Sequence, residues 1–411
     1  MDVAERAAAL IAAVTTDDPR PARRLLEADP ALARHDLACA CATGEAAEVS
    51  RRLEERPPAV TEPTGPNGWE PILYACFSRL LRGDEHRAVG IREVVRLLLG
   101  AGADPNAAYV NDGWLQVALY GAAGIAGDVE LTRMLLQAGA DPNDEREGLA
   151  GNEVLYHACE FPDPTCARLV IEAGARQDVI DYDLGRALNF PNPEMVEMFC
   201  THGAHAQAEH LHQALWRRRP SRTVAALLDA GAPIDAPDEH GLTPLQIALL
   251  WDEAEVAALL RRRGARDAQP PEVGQALRDE MLLLAIQGGH VETMRELLEA
   301  GARLDGDPEG DAIPLGQACW RGRAQMVREL VGRGAALTFH HGGSAIGAAL
   351  HGSRHCHEPE GGPTMRLVEE IPREPYAEIV RVLLDAGAPV PERIGGDDGP
   401  RATTLIAELG L

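Results

Sequence analysis

A Gly-Ala dipeptide closes an apolar helical run again and again along this chain, at Gly102, Gly139, Gly174, Gly203, Gly231, Gly264, Gly301, Gly334 and Gly387. From Gly102 to Gly334 the mean spacing is about 33 residues, a period typical of stacked helix-turn-helix units. The run before each glycine is amphipathic. In Val94-Val95-Arg96-Leu97-Leu98-Leu99 and Met294-Arg295-Glu296-Leu297-Leu298, apolar residues recur at three and four and share one helical stripe. Glycine then ends the helix, because the C-terminal turn favours a left-handed residue. A second, shorter helix begins further on, best seen at Thr243-Pro244-Leu245-Gln246-Ile247-Ala248, with proline in the first turn where no N–H partner is required. One such unit buries too few leucines to offset the backbone entropy of ordering about 33 residues. Burial must come from stacking on neighbours, which makes an all-α solenoid.

Upstream, Leu25-Leu26 before Asp29-Pro30 and Leu53 before Pro57-Pro58 read as two degenerate copies, and a half-repeat lies around Leu405–Leu411. The expected organisation is one solenoid over residues 1–411, of about eleven repeats with degenerate caps. Residues 1–62 are the N-terminal cap and 63–335 the core repeats. Residues 336–411 hold the last repeat, with a mobile loop insertion at 351–375, and a C-terminal cap. A second insertion, Ser78 to Ile91, is expected to loop out between the two helices of one repeat. The copies ending at Gly203 and Gly231 are short and carry Pro191, Pro193 and Pro220, so trimmed turns and helices are expected there.

Asp238-Glu239-His240-Gly241-Leu242-Thr243-Pro244-Leu245 followed by Gly264-Ala265 resembles the ankyrin repeat. So do Gly289-His290-Val291-Glu292 with Gly301-Ala302, and the two Gly-Ala-Asp-Pro-Asn segments at Gly102 and Gly139. The resemblance covers nearly the whole chain. It implies a protein-binding role, with contacts made by turn tips and the exposed side of each first helix along a concave face. On that template Trp69 and Trp114, each after a turn glycine, fall at turn tips. Phe77 and Trp320 follow the small pairs Ala75-Cys76 and Ala318-Cys319 that end a first helix, and Trp216 and Trp251 fall near the equivalent place. Large aromatics dominate interface energetics, so these six form a candidate contact row, and packing between repeats is the competing use. Arg217 and Arg321 lie beside Trp216 and Trp320, as solvated helix ends or as anchors for a carboxylate or phosphate.

Every one of the 39 basic residues is arginine. Phosphate-loop, Schiff-base and kinase-strand lysines are thereby excluded. A net charge of −25 disfavours nucleic acid and anionic membranes and favours basic protein partners. No segment has the length of apolar sequence that spans a membrane. Eight scattered cysteines suit free thiols in a cytoplasmic protein, and a monomer is expected. No cofactor and no enzymatic activity are expected. Two alternatives remain: a metal-dependent enzyme built on His351, His355, Cys356 and His357 with His340, His341 and Glu358 nearby, or an acidic mimic of nucleic acid.

Overall fold

The computed structural model describes residues 2–15, 19–146, 149, 151, 153–306, 313–339, 343–356, 373–394 and 399–411. The chain divides into two compact units, Met1–Ala206 with Asp229–Gly231, and Gln207–Leu228 with Ala232–Leu411. In the first, helices pair in chain order: α1 (Val3–Val14) with α2 (Arg20–Ala28), α3 (Leu37–Thr43) with α4 (Ala46–Glu55), and α5 (Pro71–Cys76) with α6 (Glu85–Gly100). A π-helix (Tyr120–Ala126) pairs with α7 (Val129–Gln137), α8 (Val154–Ala158) with α9 (Thr165–Glu172), and α10 (Gln177–Ala187) with α11 (Pro193–Thr201). The second unit continues with α12 (Ala208–Trp216) and α13 (Ser221–Asp229), α14 (Pro244–Leu250) and α15 (Ala254–Arg262), then α16 (Gln275–Gly288) and α17 (Val291–Glu299). It ends with α18 (Pro314–Trp320) and α19 (Ala324–Gly332), α20 (Ala345–His355) and α21 (Arg373–Asp385), and a last helix α22 (Ala402–Glu408). Among the described residues this is an all-α fold of eleven helix pairs and a half-pair, as the period predicts.

Each Gly-Ala ends the second helix of its pair. The nine glycines take φ between 81° and 104°, a region that side chains with a Cβ rarely enter. The next N–H then reaches back to close the helix, as in Ala103 N to Leu98 O (2.9 Å), Ala140 N to Leu135 O (2.9 Å) and Ala265 N to Leu260 O (3.0 Å). This left-handed turn leaves the glycine carbonyl and a following N–H without helical partners. A side chain from the preceding repeat satisfies both. Asn106 donates to Gly139 O (3.2 Å) and accepts from Asp141 N (2.7 Å), and Asn143 treats Gly174 O (2.9 Å) and Arg176 N (2.8 Å) in the same way. Where the turn finger is missing, two residues divide these roles. Gln177 donates to Gly203 O and Asp181 accepts from His205 N. In the second unit Gln275 and Asp279 do so for Gly301 O and Arg303 N. Asn143→Ala is expected to destabilise the first unit by about 1–2 kcal/mol, since one acceptor and one donor lose their partner. A urea melt measures this, and faster hydrogen exchange at the Arg176 amide locates it.

Three features differ from the sequence reading. The finger before the π-helix is a hairpin, β1 (Ala108–Asn111) antiparallel to β2 (Trp114–Val117), because Asp112 and Gly113 both adopt positive φ in a tight turn flanked by strand-forming residues. The repeats closing at Gly203 and Gly231 keep full helices, since α10 has 11 residues and α11, α12 and α13 have 9 each. Only their fingers are shortened: α10 starts three residues after Gly174. The Ser78–Ile91 insertion is ordered rather than looped out. It forms a 3-10 turn (Arg79–Leu81) and the first turns of α6, capped by Asp84 on Arg87 N, and buries Leu80, Ala88 and Ile91. The second expected insertion lies, over 357–372, outside the described residues.

Candidate functional site

First helices and fingers carry a continuous series of aromatic rings across the first unit. Trp69 stacks on Tyr109 from the hairpin, with centroids 4.0 Å apart. Phe77, at the end of α5, meets Trp69 (5.9 Å), Tyr109 (5.1 Å) and Tyr120 (5.9 Å). Tyr120 meets His157 on α8 (5.3 Å), His157 meets Tyr156 (5.0 Å), and Tyr156 stacks on Tyr182 of α10 (6.5 Å). Phe77 follows the end of its first helix, Tyr120, Tyr156 and Tyr182 lie within theirs, and Trp69 and Tyr109 come from fingers, so rings from four repeats meet in stacked, tilted or edge-to-face contacts. Phe77 is buried (5% exposed), whereas Trp69, Tyr109 and Tyr156 are half-buried and Tyr182 is 71% exposed. Burial pushes the Tyr109 phenol up to about 12, so it stays neutral. Tyr74, on the buried side of α5, anchors the finger instead, donating to Thr64 O (2.7 Å) and accepting from Asn67 N (3.1 Å). Trp114 stands at the hairpin tip, 44% exposed, beside exposed Val110.

Charged groups gather where this ring series reaches α10. Arg186 lies over Tyr156 (4.6 Å to the ring centre) and Phe190 (4.9 Å). Its guanidinium donates to Glu160 through Nη2 (2.5 Å) and Nε (3.2 Å). His157 bridges Glu160 (3.1 Å) and Glu153 (3.4 Å). Asp183 is 2% exposed, and burial pushes its carboxyl up to about 7 against the pull of Arg186. No hydrogen bond or ion pair within the described residues holds it.

In the second unit the rings are paired rather than serial. Trp216 meets Trp251 (6.1 Å) and His240 (5.8 Å) edge-on and donates to Asp238 (2.9 Å). Trp251 is only 6% exposed, and the Arg218 guanidinium lies 5.6 Å from its ring. Arg218 also donates to Glu253 (2.7 Å) and Thr293 (3.0 Å), so the arginine run next to Arg217 is tied into the fold rather than ending a helix in solvent. Trp320 stacks on His351 (4.9 Å) and, with Phe339, Pro391 and Ile394, lines an open hollow of about 670 Å³ that Arg321 directly follows in sequence.

No family model matches the chain. A stretch of 110 residues, 26% of this chain, is 33% identical to the rat cyclin-dependent kinase 4 inhibitor B and covers 80% of it. The chain is an ankyrin-repeat protein. It is also 34% identical over 109 residues to the human cyclin-dependent kinase inhibitor 2A, spanning 66% of that protein's length. Among solved structures the human ASB11 ankyrin repeat domain is similar at 20% identity, over 62% of this chain and 95% of that one. The TM-score between the two is 0.26.

Metal-ligating side chains of this ankyrin-repeat protein come together, among the described residues, at Glu239, His240 and Glu280, where His240 and Glu280 form an ion pair of 3.0 Å. His351 instead faces Trp320, and Cys356 is buried beside Tyr376. The side chain of His355, and residues His340, His341, His357 and Glu358 entirely, lie outside the described residues. Burial raises the thiols of Cys39, Cys41, Cys76 and Cys319, which keeps them neutral and poorly nucleophilic. Sequence reasoning on tryptophan and phenylalanine missed Tyr109, Tyr120, Tyr156 and Tyr182. Their signal was available: Tyr120 and Tyr156 fall in consecutive first helices.

Proposed function

We propose that this ankyrin-repeat protein is a non-enzymatic binding module, a scaffold or adaptor that holds a partner protein along the concave face of its repeats. The observation that carries the reading is the ring series from Trp69 to Tyr182, which ends in exposed aromatic surface. Half-exposed rings on a rigid scaffold supply contact area at small entropic cost. Trp114 extends the surface at the hairpin tip, and Trp216, Arg217, Trp320 and Arg321 offer contacts in the second unit. Phe77 and Trp251, being buried, support these surfaces from below. Two relatives support the reading, because each is named as an inhibitor of a cyclin-dependent kinase and so acts on another protein. The charge of −25 suits a basic partner, and eight cysteines, none in a disulfide among the described residues, suit a reducing, cytoplasmic compartment. Among the described residues no helix is long and apolar enough to cross a membrane.

The test is retention of a specific protein from lysate of the native host by wild type and by a Trp69→Ala/Trp114→Ala variant. A cooperative melt first establishes that the variant folds. Loss of the retained protein, or an affinity lower by about tenfold or more, is expected. Equal retention moves the site off these rings, and retention of nothing by either chain removes the binding reading.

A further inference from the structure

The hollow between the last two fingers of the second unit differs in character from the acidic chain around it. It holds about 670 Å³, within the range of small-ligand sites, and most of its lining is apolar. Local sequence builds it. Gly347, Ala348 and His351 fall three and four apart on α20, so the face of that helix that lines the hollow offers two small residues and then an imidazole. The small residues keep the floor low, and Trp320 stacks on His351 beside it. Phe339 adds a second aromatic wall. Its finger is pinned by the Thr338–Ser344 β-bridge and by Phe339 N donating to Gly343 O (2.8 Å). The Phe339 ring lies so near Gly316 and Gly343 that a Cβ on either would stand 3.1 Å from it. The next finger contributes Val390, Pro391 and Ile394, with Pro391 3.8 Å from where a Cβ on Gly347 would lie.

The polar part of the lining offers donors. Ser344 accepts from Gly347 N (3.0 Å) as the cap of α20, and among the described residues no acceptor takes its hydroxyl proton. Arg393 donates through Nη1 to Gly399 O (2.6 Å) and has no carboxylate partner among the described residues. No Asp or Glu of the described residues lines the hollow, although the chain has 64 of them, so the site lacks the groups that would repel an anion at close range. We propose that this hollow binds a small aromatic carboxylate, its ring against Trp320 and Phe339 and its carboxylate on Arg393, with the Ser344 hydroxyl as a further donor. A guanidinium meets a carboxylate with two parallel N–H groups, and flat aromatic walls favour a flat apolar body. The site goes beyond the protein-binding role proposed above and does not depend on it.

The probe is 2-naphthoate, titrated into the full chain labelled at the tryptophan indole nitrogens and followed by NMR. Its neutral amide, 2-naphthamide, and the cation 2-naphthylmethylammonium are titrated beside it, and Trp320→Phe identifies the Trp320 signal. A saturable shift of that signal is expected, with the acid about tenfold tighter than the amide and the cation weakest. The field of a chain of net charge −25 would by itself rank the three in the opposite order, so the order separates a built site from general attraction. Arg393→Gln, at an exposed position, should bring the acid down to the affinity of the amide and leave the amide unchanged. Val390→Asp, at a lining side chain that is 41% exposed, should weaken the acid by about tenfold or more. Acetyl-Gly-Gly-Trp with a free C-terminal carboxylate carries the same chemistry on a flexible chain and should bind more weakly than 2-naphthoate. An unmoved Trp320 signal, the cation ranking first, or an acid preference that survives Arg393→Gln overturns the proposal. Tighter binding of the peptide also overturns it and makes the hollow a contact for a protein C-terminus. None of these failures touches the binding role tested by Trp69→Ala/Trp114→Ala, which lies in the other unit.

Discussion

Gly90→Ala is expected to destabilise the first unit by about 3 kcal/mol, although alanine is the better helix former. Gly90 lies on α6 where it crosses the end of α3. A Cβ there would stand 2.3 Å from the Gly44 carbonyl oxygen and 3.1 Å from its carbon. Gly44 is itself the left-handed cap of α3, at φ 79°, and a Cβ on it would meet Ile91 N at 2.7 Å. Each glycine therefore makes room for the other's backbone, and no flexible side chain is available to yield. Arg87 fixes the crossing by donating to Thr43 O (2.9 Å) and Glu45 (2.8 Å). The comparison is Gly100→Ala at the other end of α6, where nothing lies within 4 Å of an added Cβ. There helix propensity acts alone, and a gain of about 0.5–1 kcal/mol is expected. Denaturant melts of the two variants should move in opposite directions. Equal midpoints would show that α3 and α6 do not approach this closely.

The second large effect concerns Asp183. Its carboxyl titrates at about 7 in the folded chain, against about 3.9 when unfolded. The folded state therefore binds more protons than the unfolded state between these values, and stability falls as pH rises from about 4 to about 7. A shift of this size corresponds to roughly 4 kcal/mol once Asp183 is ionised, an upper bound for a group that can relax. Asp183→Asn keeps the shape and removes the charge. It should raise stability by about 2–4 kcal/mol at about pH 8 and by much less at about pH 5. Urea melts at the two pH values measure this directly. A variant no more stable than wild type at the higher pH would mean that the carboxylate is well solvated or paired in the free protein.

Much of the architecture is legible in the residues because it is decided locally. The stripe in Val94–Leu99 follows from the 3.6-residue turn, and the stop at Gly102 follows from a left-handed backbone that glycine adopts readily. Repeat number and helix order then follow from counting such stops. The hairpin at Asp112-Gly113 is equally local, and the repeat template hides it only because it expects a plain turn there. The failure of the Ser78–Ile91 insertion to loop out is not local: Leu80 and Ile91 find burial against other repeats, which no window of sequence displays.

The site divides in the same way. Aromatic residues at Trp69 and Trp114 follow turn glycines in the sequence, and their places at the finger tips come from that local pattern. Whether a ring is contact surface or packing depends on the assembled stack, which buries Phe77 and Trp251 and leaves Tyr182 in solvent. The state of Asp183 is the extreme case. Its sequence neighbours are ordinary, and its raised carboxyl comes from desolvation together with Glu153 and Glu160, which reach it from the preceding repeat. A stack of capped helix pairs can be read from the residues alone, because hydrogen bonds and apolar stripes act over three or four residues. Which side chains of successive repeats meet is a matter for the packed chain, because ring contacts and buried charges depend on distances between residues a full repeat apart.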